Sequence, residues 1–417
     1  MPFPISRIRA RFPSLSLSHA GRQRVYFDNP AGTQLAKQSL QRMNHYLLHS
    51  VANSGATFRT SGGTEAMVAE TRAAMAQFFN ARSPREVVFG SSMTAITFHM
   101  TRALERLFSP GDEIIVTRMD HDANVSPWRL MAERCGLALK YLDFDAESYR
   151  YDLTELDRLL THRTKLIAVT HASNVTGTIN DVGAIARRAK AAGAMTYVDA
   201  VQSAAHCVLD AQALDCDFLV CSAYKFFGPH LGILWGREDL LESLMPPKLR
   251  AASDALPNRY ETGSLPFELI AALLGALEYF AWVGDAASAK SGSRFGARIN
   301  RGKRAMQEYE QTLALELIRG LQELPGVRIH GISADSQMHH RISTVSFTLQ
   351  QMAPRRIAAE LAKREIYVWS GDCYAMDMVR KFGLAESGGV VRAGPVHYNT
   401  MKEVRRFLSA MREIARG

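Results

Sequence analysis

Short apolar segments alternate with longer amphipathic segments over the first two thirds of the chain. Residues 94–107 carry apolar side chains at helical spacing, and residues 182–192 predict a helix that ends before Gly193, a residue that commonly ends helices. The short apolar segments predict buried strands at residues 87–89, 113–117, 139–142, 165–170, 196–198, 217–221 and 232–235. Strands that alternate with helices predict an α/β fold with a mostly parallel, seven-stranded sheet.

A polar, glycine- and serine-rich segment, residues 286–301, precedes a second pattern. After it we expect a long helix at 303–323, strands at 327–330, 344–349, 366–368 and 390–393, and helices at 354–363 and 402–413. This pattern is typical of a smaller α+β domain. We therefore predict an N-terminal segment (1–20) that packs with the small domain, a large domain (21–290) and a small C-terminal domain (291–417).

The composition is that of an ordinary globular protein, with 417 residues of which 47% are hydrophobic and 22% charged. It excludes a disordered or collagen-like chain. The net charge of +9 is spread along the sequence rather than gathered in a basic stripe, so we expect no nucleic-acid partner. The apolar run at residues 269–284 is interrupted by Glu278 and is too short to span a bilayer, which predicts a buried helix and no membrane partner.

The cysteines indicate reduced thiols. There are five of them, with no Cys-x-x-Cys pair and no zinc-ligand spacing. The first residues lack the apolar run of a secretory signal, so we expect a cytoplasmic protein. His339, His340 and His397 have no further ligand at a suitable spacing, so we expect no metal site.

Two predicted strands end in residues that carry chemistry. Asp199 follows the strand at 196–198, and Lys225 lies in a small polar turn after the strand at 217–221. Ligands of open parallel sheets bind beyond the carboxyl ends of the strands, so both side chains would project into one crevice. Pyridoxal 5'-phosphate (PLP) needs a lysine for its Schiff base and an acid that keeps its ring nitrogen protonated. Each residue alone is more often an ordinary surface residue.

A strand that ends at Phe89 runs through small hydroxyl residues into a helix that starts near Thr94. The free N–H groups at a helix N-terminus suit a phosphate. Simple N-capping by Ser or Thr is the alternative. The chain contains neither a Gly-x-Gly-x-x-Gly nor a Gly-Lys-Ser/Thr loop.

These features occur within segments that resemble the class V aminotransferase superfamily, in particular its cysteine desulfurase-like branch. The resemblance runs in the same order from about Tyr26 to the C-terminus, through YFDNPAG (26–32), VVFGSSMTA (87–95), DHDANVSPW (120–128), THASNVTGTIN (170–180), VDAVQSAAH (198–206), DFLVCSAYKFFGP (217–229), RYETGS (259–264) and VRAGPVHYNT (391–400). It implies the PLP-dependent transferase fold of type I, PLP as the cofactor, an amino-acid substrate and a homodimer. It also allows a sulfur-acceptor protein as a partner.

The resemblance assigns roles around the cofactor ring. Lys225 would attach the cofactor and then move the substrate proton, and Asp199 would pair with the ring nitrogen. His121 would stack on the ring; a core histidine is its alternative reading. Asn174 would lie near the phenolic oxygen or the substrate, and Gln202 would be another partner of that oxygen.

The resemblance also assigns the phosphate and carboxylate partners. Thr94, Ser222 and the backbone N–H of Met93 would form the phosphate cup. Ser264 would reach across a dimer interface towards the phosphate of the partner chain. Arg392 would bind the substrate carboxylate, a bidentate task that suits a planar guanidinium better than a lysine.

The sequence departs from the desulfurase pattern at two places. Tyr224 stands before the lysine, where desulfurases usually have histidine, and Trp369 replaces the usual arginine of the mobile loop. If Gly371 and Ala375 are aligned with the family, its cysteine position falls on Tyr374. The chain instead has a cysteine one residue earlier, at position 373.

Two interpretations of this loop remain open. In the first, the loop is shifted by one residue and Cys373 is the nucleophile that forms a persulfide. In the second, Cys373 is incidental, and Tyr374 or Trp369 shapes a pocket for another substrate. Asp372 counts against the first, because a neighbouring carboxylate raises the pKa of a thiol.

The leading function is therefore conversion of L-cysteine to L-alanine plus sulfur. The alternative is a PLP-dependent C–S or C–C lyase, or an amino-acid epimerase, that forms no protein persulfide. A sulfur-relay or scaffold protein with vestigial catalysis would require loss of Lys225 or Asp199, and both are present.

Overall fold

The computed structural model describes residues 3–19, 21–288 and 293–416. Its strands are β1 Ser18–His19, β2 Arg22–Gln23, β3 Val25–Tyr26, β4 Val87–Gly90, β5 Glu113–Thr117, β6 Ala138–Leu142, β7 Thr164–Thr170, β8 Met195–Asp199, β9 Phe218–Ser222, β10 Gly232–Gly236, β11 Val327–His330, β12 Val345–Leu349, β13 Ile366–Tyr367, β14 Trp369–Gly371 and β15 Val390–Ala393. Its α-helices are α1 Ile5–Arg9, α2 Lys37–His49, α3 Arg59–Phe79, α4 Met93–Leu104, α5 Ser126–Cys135, α6 Leu153–Leu159, α7 Val182–Ala191, α8 Ser203–His206, α9 Ala211–Leu214, α10 Glu238–Ser243, α11 Phe267–Ala286, α12 Phe295–Gln322, α13 Pro354–Ala362, α14 Met376–Lys381 and α15 Met401–Ala415.

A seven-stranded sheet forms the centre of the large domain. Its strand order is β4-β10-β9-β8-β7-β5-β6. The five strands from β9 to β6 pair in parallel, and β10 is antiparallel to both of its neighbours, β4 and β9. The predicted α/β fold with a mostly parallel seven-stranded sheet is confirmed.

The central strands are apolar because both faces of the sheet are covered. Along β7, Ile167 and Val169 belong to one buried cluster, whereas Leu166 and Ala168 belong to another on the opposite face. Side chains that alternate between two buried faces give a continuous apolar run instead of an apolar–polar alternation. This is why the strands can be recognised in the sequence.

The long apolar helix α11 is part of this packing. The helix has 20 residues and by length and composition could cross a membrane, so the prediction that its apolar run is too short to do so was wrong. Its mean hydropathy is 1.5, and 72% of its apolar window is buried within the protein. Ile270, Leu273 and Phe280 are all inaccessible to solvent and belong to the large core cluster. The helix therefore packs as the predicted buried core helix.

Helix α12 connects the two parts of the chain. It begins at Phe295, eight residues before the predicted helix at 303–323, so the prediction that residues 295–301 are a polar connection was wrong. Its first half packs against the large-domain core through Ile299, and its second half packs against the small domain through Leu313 and Leu317. The predicted boundary between residues 290 and 291 lies outside the described residues, and the division into domains stays a prediction.

The small domain contains an antiparallel sheet in the order β11-β12-β15-β14. The strand predicted at 366–368 is divided. Ile366–Tyr367 pairs in parallel with β3, whereas Trp369–Gly371 pairs with β15 in the small sheet. Arg9 of the N-terminal segment forms an ion pair of 3.0 Å with Glu403 on α15. Residues 1, 2 and 20 of that segment lie outside the described residues.

One glycine sets the distance between the sheet and the start of α4. A Cβ atom at Gly232 would lie 2.3 Å from the carbonyl carbon of Ser92 and 2.7 Å from the nitrogen of Met93. We expect Gly232→Ala to destabilise the protein by about 1–3 kcal/mol, because the backbone of a helix start has to move. Chemical denaturation measures the change.

Gly62→Ala is the matched control for this substitution. Gly62 lies within α3, and a Cβ atom there would meet nothing within 4 Å. The control should be neutral or stabilising by about 0.5–1 kcal/mol, as expected for glycine inside a helix. Equal free energies of unfolding for the two variants would contradict the close contact at Gly232.

Candidate active site

A cavity opens at the carboxyl ends of β7, β8 and β9, where ligands of open α/β sheets bind. Together with its open mouth it encloses about 440 Å³. It is lined by Met93, Thr94, His121, Ala123, Thr170, Ala172, Asn174, Asp199, Val201, Gln202, Ser222, Tyr224 and Lys225. The structure therefore brings together eight of the residues that the sequence predicts for the cofactor site.

Strand register places Asp199 at this edge. It is the last residue of β8 and pairs with Thr170 on β7 and Val220 on β9. Its Oδ1 accepts a hydrogen bond of 2.8 Å from the N–H of Val201. Burial raises the pKa of Asp199 to about 6, against the opposing effects of that hydrogen bond and of the positive charge of Lys225. A buried carboxylate of this kind is stabilised by a cationic N–H partner.

Lys225 ends the short helical turn Ala223–Lys225 directly after β9. Its Nζ donates to the carbonyl of Pro30, which also accepts a hydrogen bond of 2.9 Å from Nε2 of Gln202. Burial, together with the positive charge of Arg392, lowers the pKa of Lys225 to about 7. A large fraction of the amine is therefore neutral near pH 7, the form that attacks a carbonyl group.

His121 presents a neutral ring to the cavity. Burial lowers its pKa to about 4, helped by the charges of Lys225 and Arg392. Its Nδ1 accepts a hydrogen bond of 3.0 Å from the N–H of Ala123. On the outer side, the ring stacks against Tyr374 with a centroid distance of 5.4 Å and an interplanar angle of 26°. A flat, uncharged imidazole is suited to stacking on an aromatic ligand.

The N-terminus of α4 forms another wall. Ser92 is the N-cap, and its side chain accepts a hydrogen bond of 3.1 Å from the N–H of Ala95. Helix geometry leaves the first N–H groups without intrahelical partners, and Met93 and Thr94 both line the cavity. N-capping is thus performed by Ser92, while the start of the helix offers an anion site beside Ser222.

Arg392, on β15, joins the small domain to this site. Its Nη1 donates to the backbone carbonyl of Asn174 at 3.2 Å, and Nδ2 of Asn174 donates to the carbonyl of Cys373 at 2.7 Å. Nε of Arg392 and Oδ1 of Asn174 are buried and have no hydrogen-bond partner. Such atoms are available to a ligand, since buried polar groups are nearly always paired.

Cys373 and Tyr374 face in different directions from one loop. Both have positive φ angles, 55° and 56°. The side chain of Cys373 is buried, with 4% exposed, whereas Tyr374 is 66% exposed. Burial raises the pKa of the Cys373 thiol; Arg392 opposes this rise, and Asp372 adds to it. The thiol is thus buried, in an apolar cluster that includes Val175 and Met378, and the tyrosine covers the outer face of His121.

Five predicted site residues do not line the cavity. Arg392, Cys373 and Tyr374 contact residues that do, and the other two are Ser264 and Trp369. Ser264 lines a different cavity, together with His99 and Tyr260. Trp369 starts β14 and is 45% exposed. The structure does not place either residue against Lys225, and their roles stay predictions.

The turn at residues 28–32 contributes to the site in a way that the sequence pattern did not indicate. Its carbonyl at Pro30 holds Lys225, and Asp28 lies 3.6 Å from Arg392. The segment YFDNPAG was noted only for its resemblance. A carboxylate followed by a Pro-Ala-Gly sequence, directly after a short apolar strand, was the available signal.

The residues of the cavity fit PLP. The neutral Lys225 amine suits its aldehyde, and the buried Asp199 suits its ring nitrogen. His121 suits its flat face, and the start of α4 suits its phosphate. The unpartnered Oδ1 of Asn174 shows that the polar groups here are incomplete without a ligand.

Comparisons with known proteins agree with this geometry. The family described as Aminotransferase class-V matches residues 25–407. A cysteine desulfurase of Pectobacterium carotovorum subsp. carotovorum (strain PC1) is 32% identical, with 100% of this chain and 99% of that protein covered. A probable cysteine desulfurase of Synechocystis sp. (strain ATCC 27184 / PCC 6803 / Kazusa) is 32% identical, with coverages of 100% and 97%.

A solved structure extends the similarity to three dimensions. The apo structure of the cysteine desulfurase from Thermococcus onnurineus NA1 superposes with a TM-score of 0.88 at 28% identity, covering 100% of this chain and 99% of that one. The similarity therefore extends over the whole fold. From its motifs, its fold and these matches along its whole length, the chain belongs to the class V aminotransferase family.

Proposed function

We propose that this protein is a PLP-dependent cysteine desulfurase that converts L-cysteine to L-alanine and a transferable sulfur atom. One observation carries the proposal: the amine of Lys225, the carboxylate of Asp199, the ring of His121 and the start of α4 line a single cavity. The similarity to cysteine desulfurases along the whole chain favours this function over a lyase or epimerase without a persulfide.

PLP, when bound, supplies an electron sink for the bonds at the substrate α-carbon. Asp199 keeps a proton on the ring nitrogen, because its buried carboxylate is stabilised by a positive N–H partner. Lys225 provides the amine that holds the cofactor and afterwards moves the α-proton as a general base. The neutral imidazole of His121 would stack on the cofactor ring. Arg392 binds the substrate carboxylate, and its unpartnered Nε provides a donor for that task.

Cys373 takes the sulfur. Its thiol attacks the sulfur of L-cysteine; the new S–S bond forms as the C–S bond breaks, and the proton of the thiol passes to the substrate. The balance is L-cysteine plus enzyme thiol giving L-alanine plus enzyme persulfide. Because the Cys373 side chain is only 4% exposed, delivery of the sulfur to an acceptor protein requires the loop at 369–375 to move.

The active form is a homodimer in the cytoplasm. Large apolar side chains lie exposed between α2 and α3 and at the end of α2, a composition typical of an interface; they are Leu47, Leu48, Val51 and Phe58. Ser264 lies outside its own chain's cofactor cavity, which agrees with a role at the phosphate of the partner chain. The five free cysteines suit a reducing compartment.

The test is to incubate the PLP-loaded protein with L-cysteine and a thiol reductant and to assay alanine and sulfide. Equal yields of the two products support the proposal. Pyruvate and ammonia in place of alanine would point to the lyase alternative, and no product from L-cysteine would point to another substrate. A colourless protein that takes up no PLP would overturn the whole assignment.

The pKa of Lys225 gives a pH prediction for cofactor loading. The amine must be neutral to condense with the aldehyde, and burial lowers its pKa to about 7. The rate of PLP uptake by the apoprotein should rise with pH up to about 7 and level off above it, instead of rising towards the usual lysine pKa of about 10. Stopped-flow absorbance measures the profile.

The Arg392→Gln variant tests the cause of the lowered pKa of Lys225 through the direction in which the midpoint of the pH profile moves. The charge of Arg392 is the second cause of the lowered pKa of Lys225, after burial. Its removal should therefore move the midpoint of the loading profile to higher pH. A midpoint near 10 in the wild type, or a downward shift in the variant, would contradict the electrostatic assignment.

A further inference from the structure

The tight loop around Cys373 and Tyr374 is attached to the segment that carries His121. The ring of Tyr374 stacks on the ring of His121, with a centroid distance of 5.4 Å and an interplanar angle of 26°. The N–H of Asp122, the next residue, donates to the carbonyl of Tyr374 at 2.7 Å. Nδ2 of Asn174 donates to the carbonyl of Cys373 at 2.7 Å. Because His121 and Asn174 both line the cavity, these contacts join the loop to the candidate active site.

The backbone of this loop is strained. Cys373 and Tyr374 follow each other with φ angles of 55° and 56°, in the left-handed region that is unfavourable for residues with a Cβ atom. Within the loop, Oδ1 of Asp372 accepts a hydrogen bond of 2.9 Å from the N–H of Tyr374. A strained conformation persists only while its surroundings hold it in place. The contacts of the loop with the cavity-lining residues therefore determine whether it keeps this conformation.

The two side chains in the strained part of the loop differ in their surroundings. Cys373 is 4% exposed and belongs to an apolar cluster with Val175 and Met378, whereas Tyr374 is 66% exposed. The tyrosine therefore contributes little to the core. A smaller side chain at position 374 should leave the fold intact and remove the stacking contact with His121.

We propose that Tyr374 is a positioning residue, which keeps the loop at 369–375 closed by stacking on the outer face of His121. The closed loop shields both the imidazole and the Cys373 thiol from water. The inference deepens the proposed function and rests on it for the role of the thiol, which must lie inside to attack the substrate and become exposed to reach an acceptor. The aligned position carries a cysteine in the desulfurase pattern, and a cysteine has no ring to stack on the imidazole.

The ionisation of His121 provides a readout of this contact. Burial lowers the pKa of His121 to about 4, and the charges of Lys225 and Arg392 lower it too, against the opposing charge of Asp372. When the ring of Tyr374 is removed, water reaches the imidazole and stabilises its protonated form. The pKa of His121 should then rise towards the usual value of about 6.5.

The first experiment measures how fast iodoacetamide alkylates Cys373 in the PLP-loaded protein, with peptide mapping to identify the modified residue. In Tyr374→Ala the rate should rise by about three- to tenfold, the range expected for the loss of one aromatic pair. Tyr374→Phe retains the ring and should keep the slow rate of the wild type. Met376→Ala is the matched control, because it shortens a side chain that is 40% exposed at the start of α14, and it should leave the rate unchanged.

The second experiment follows the titration of His121 by NMR in the full-length apoprotein with labelled histidines, and a His121→Gln variant identifies the signal. In Tyr374→Ala the midpoint should lie above that of the wild type, whereas Tyr374→Phe should match the wild type. An unchanged alkylation rate or an unchanged midpoint in Tyr374→Ala would overturn the proposal, and so would equal effects of alanine and phenylalanine.

Both readouts are independent of turnover, so the two proposals can fail separately. If the loop responds as expected while L-cysteine yields no alanine, the proposed function fails and only the contact between Tyr374 and His121 remains. If alanine forms normally and neither readout changes in Tyr374→Ala, this inference alone is overturned.

Discussion

A Lys225→Ala variant should lose amino-acid turnover by at least about 10³-fold, because one side chain supplies both the amine that holds the cofactor and the base that moves the α-proton. The variant should still bind PLP through Asp199, His121 and the start of α4, but without a covalent link. Borohydride treatment followed by peptide mapping tests this directly. In the wild type the cofactor should be fixed to Lys225, and in the variant it should wash out.

A second buried lysine offers a matched control. Lys303 lies on α12, and burial lowers its pKa to about 7, as it does for Lys225. Its Nζ donates to the carbonyl of Cys207 at 3.0 Å and lies over the ring of Phe78, away from the cavity. Lys303→Met should therefore retain the covalent cofactor. Fixation of the cofactor to Lys303, or retention of turnover by Lys225→Ala, would contradict the assignment of the cavity.

The comparison of the two lysines shows what the sequence could and could not reveal. The pairing of Lys225 with Asp199 was predictable, because both follow buried strands of one parallel sheet and parallel strands end at the same edge. Low pKa values were not predictable from the pattern. The pKa of a lysine depends on its burial. Burial lowers the pKa of Lys303 to about 7 as well, although this residue lies on a helix outside the cavity.

Contacts between distant segments were also beyond the sequence. Lys225 and Pro30 are 195 residues apart, and Asn174 and Cys373 are 199 residues apart. Neither pair belongs to a periodic pattern, so only the folded chain brings them together. The family resemblance supplied roles for three of these residues but gave no reason for their contacts.

The early start of α12 has a local cause. Residues 295–302 contain two glycines and one asparagine, which have low helix propensity. A Cβ atom at Gly302 would lie 2.2 Å from the carbonyl oxygen of Phe280, so α12 and α11 approach to backbone contact. Packing against α11 therefore outweighs the low helix propensity of this segment. The prediction of one strand at 366–368 was wrong for a related reason. Residues 366–367 pair with β3 and residues 369–371 pair with β15, so the pairing partners determine where each strand ends.

Cys373→Ser should reduce sulfide formation from L-cysteine by at least about a hundredfold, since a hydroxyl group cannot carry a persulfide. Binding of L-alanine and the absorption of the cofactor should remain, because Asn174 holds residue 373 by its backbone carbonyl and not by its side chain. Assays of sulfide and alanine, together with cofactor spectra, separate these two effects. Cys135→Ser changes a cysteine on α5 and should leave sulfide formation intact.

The same loop allows the one-residue shift to be tested. In a Cys373→Ser/Tyr374→Cys variant the thiol stands at the aligned family position, on the outer face of His121, where Tyr374 is 66% exposed. We expect no recovery of sulfide formation, because the side chain at position 374 is exposed on the outer side of the loop, whereas that of residue 373 is buried on the inner side. Full recovery of sulfide formation would show that the loop changes conformation and brings the side chain of residue 374 to the substrate. Undiminished sulfide formation by Cys373→Ser alone would eliminate the persulfide on this residue, and the enzyme would then cleave the C–S bond without a protein thiol.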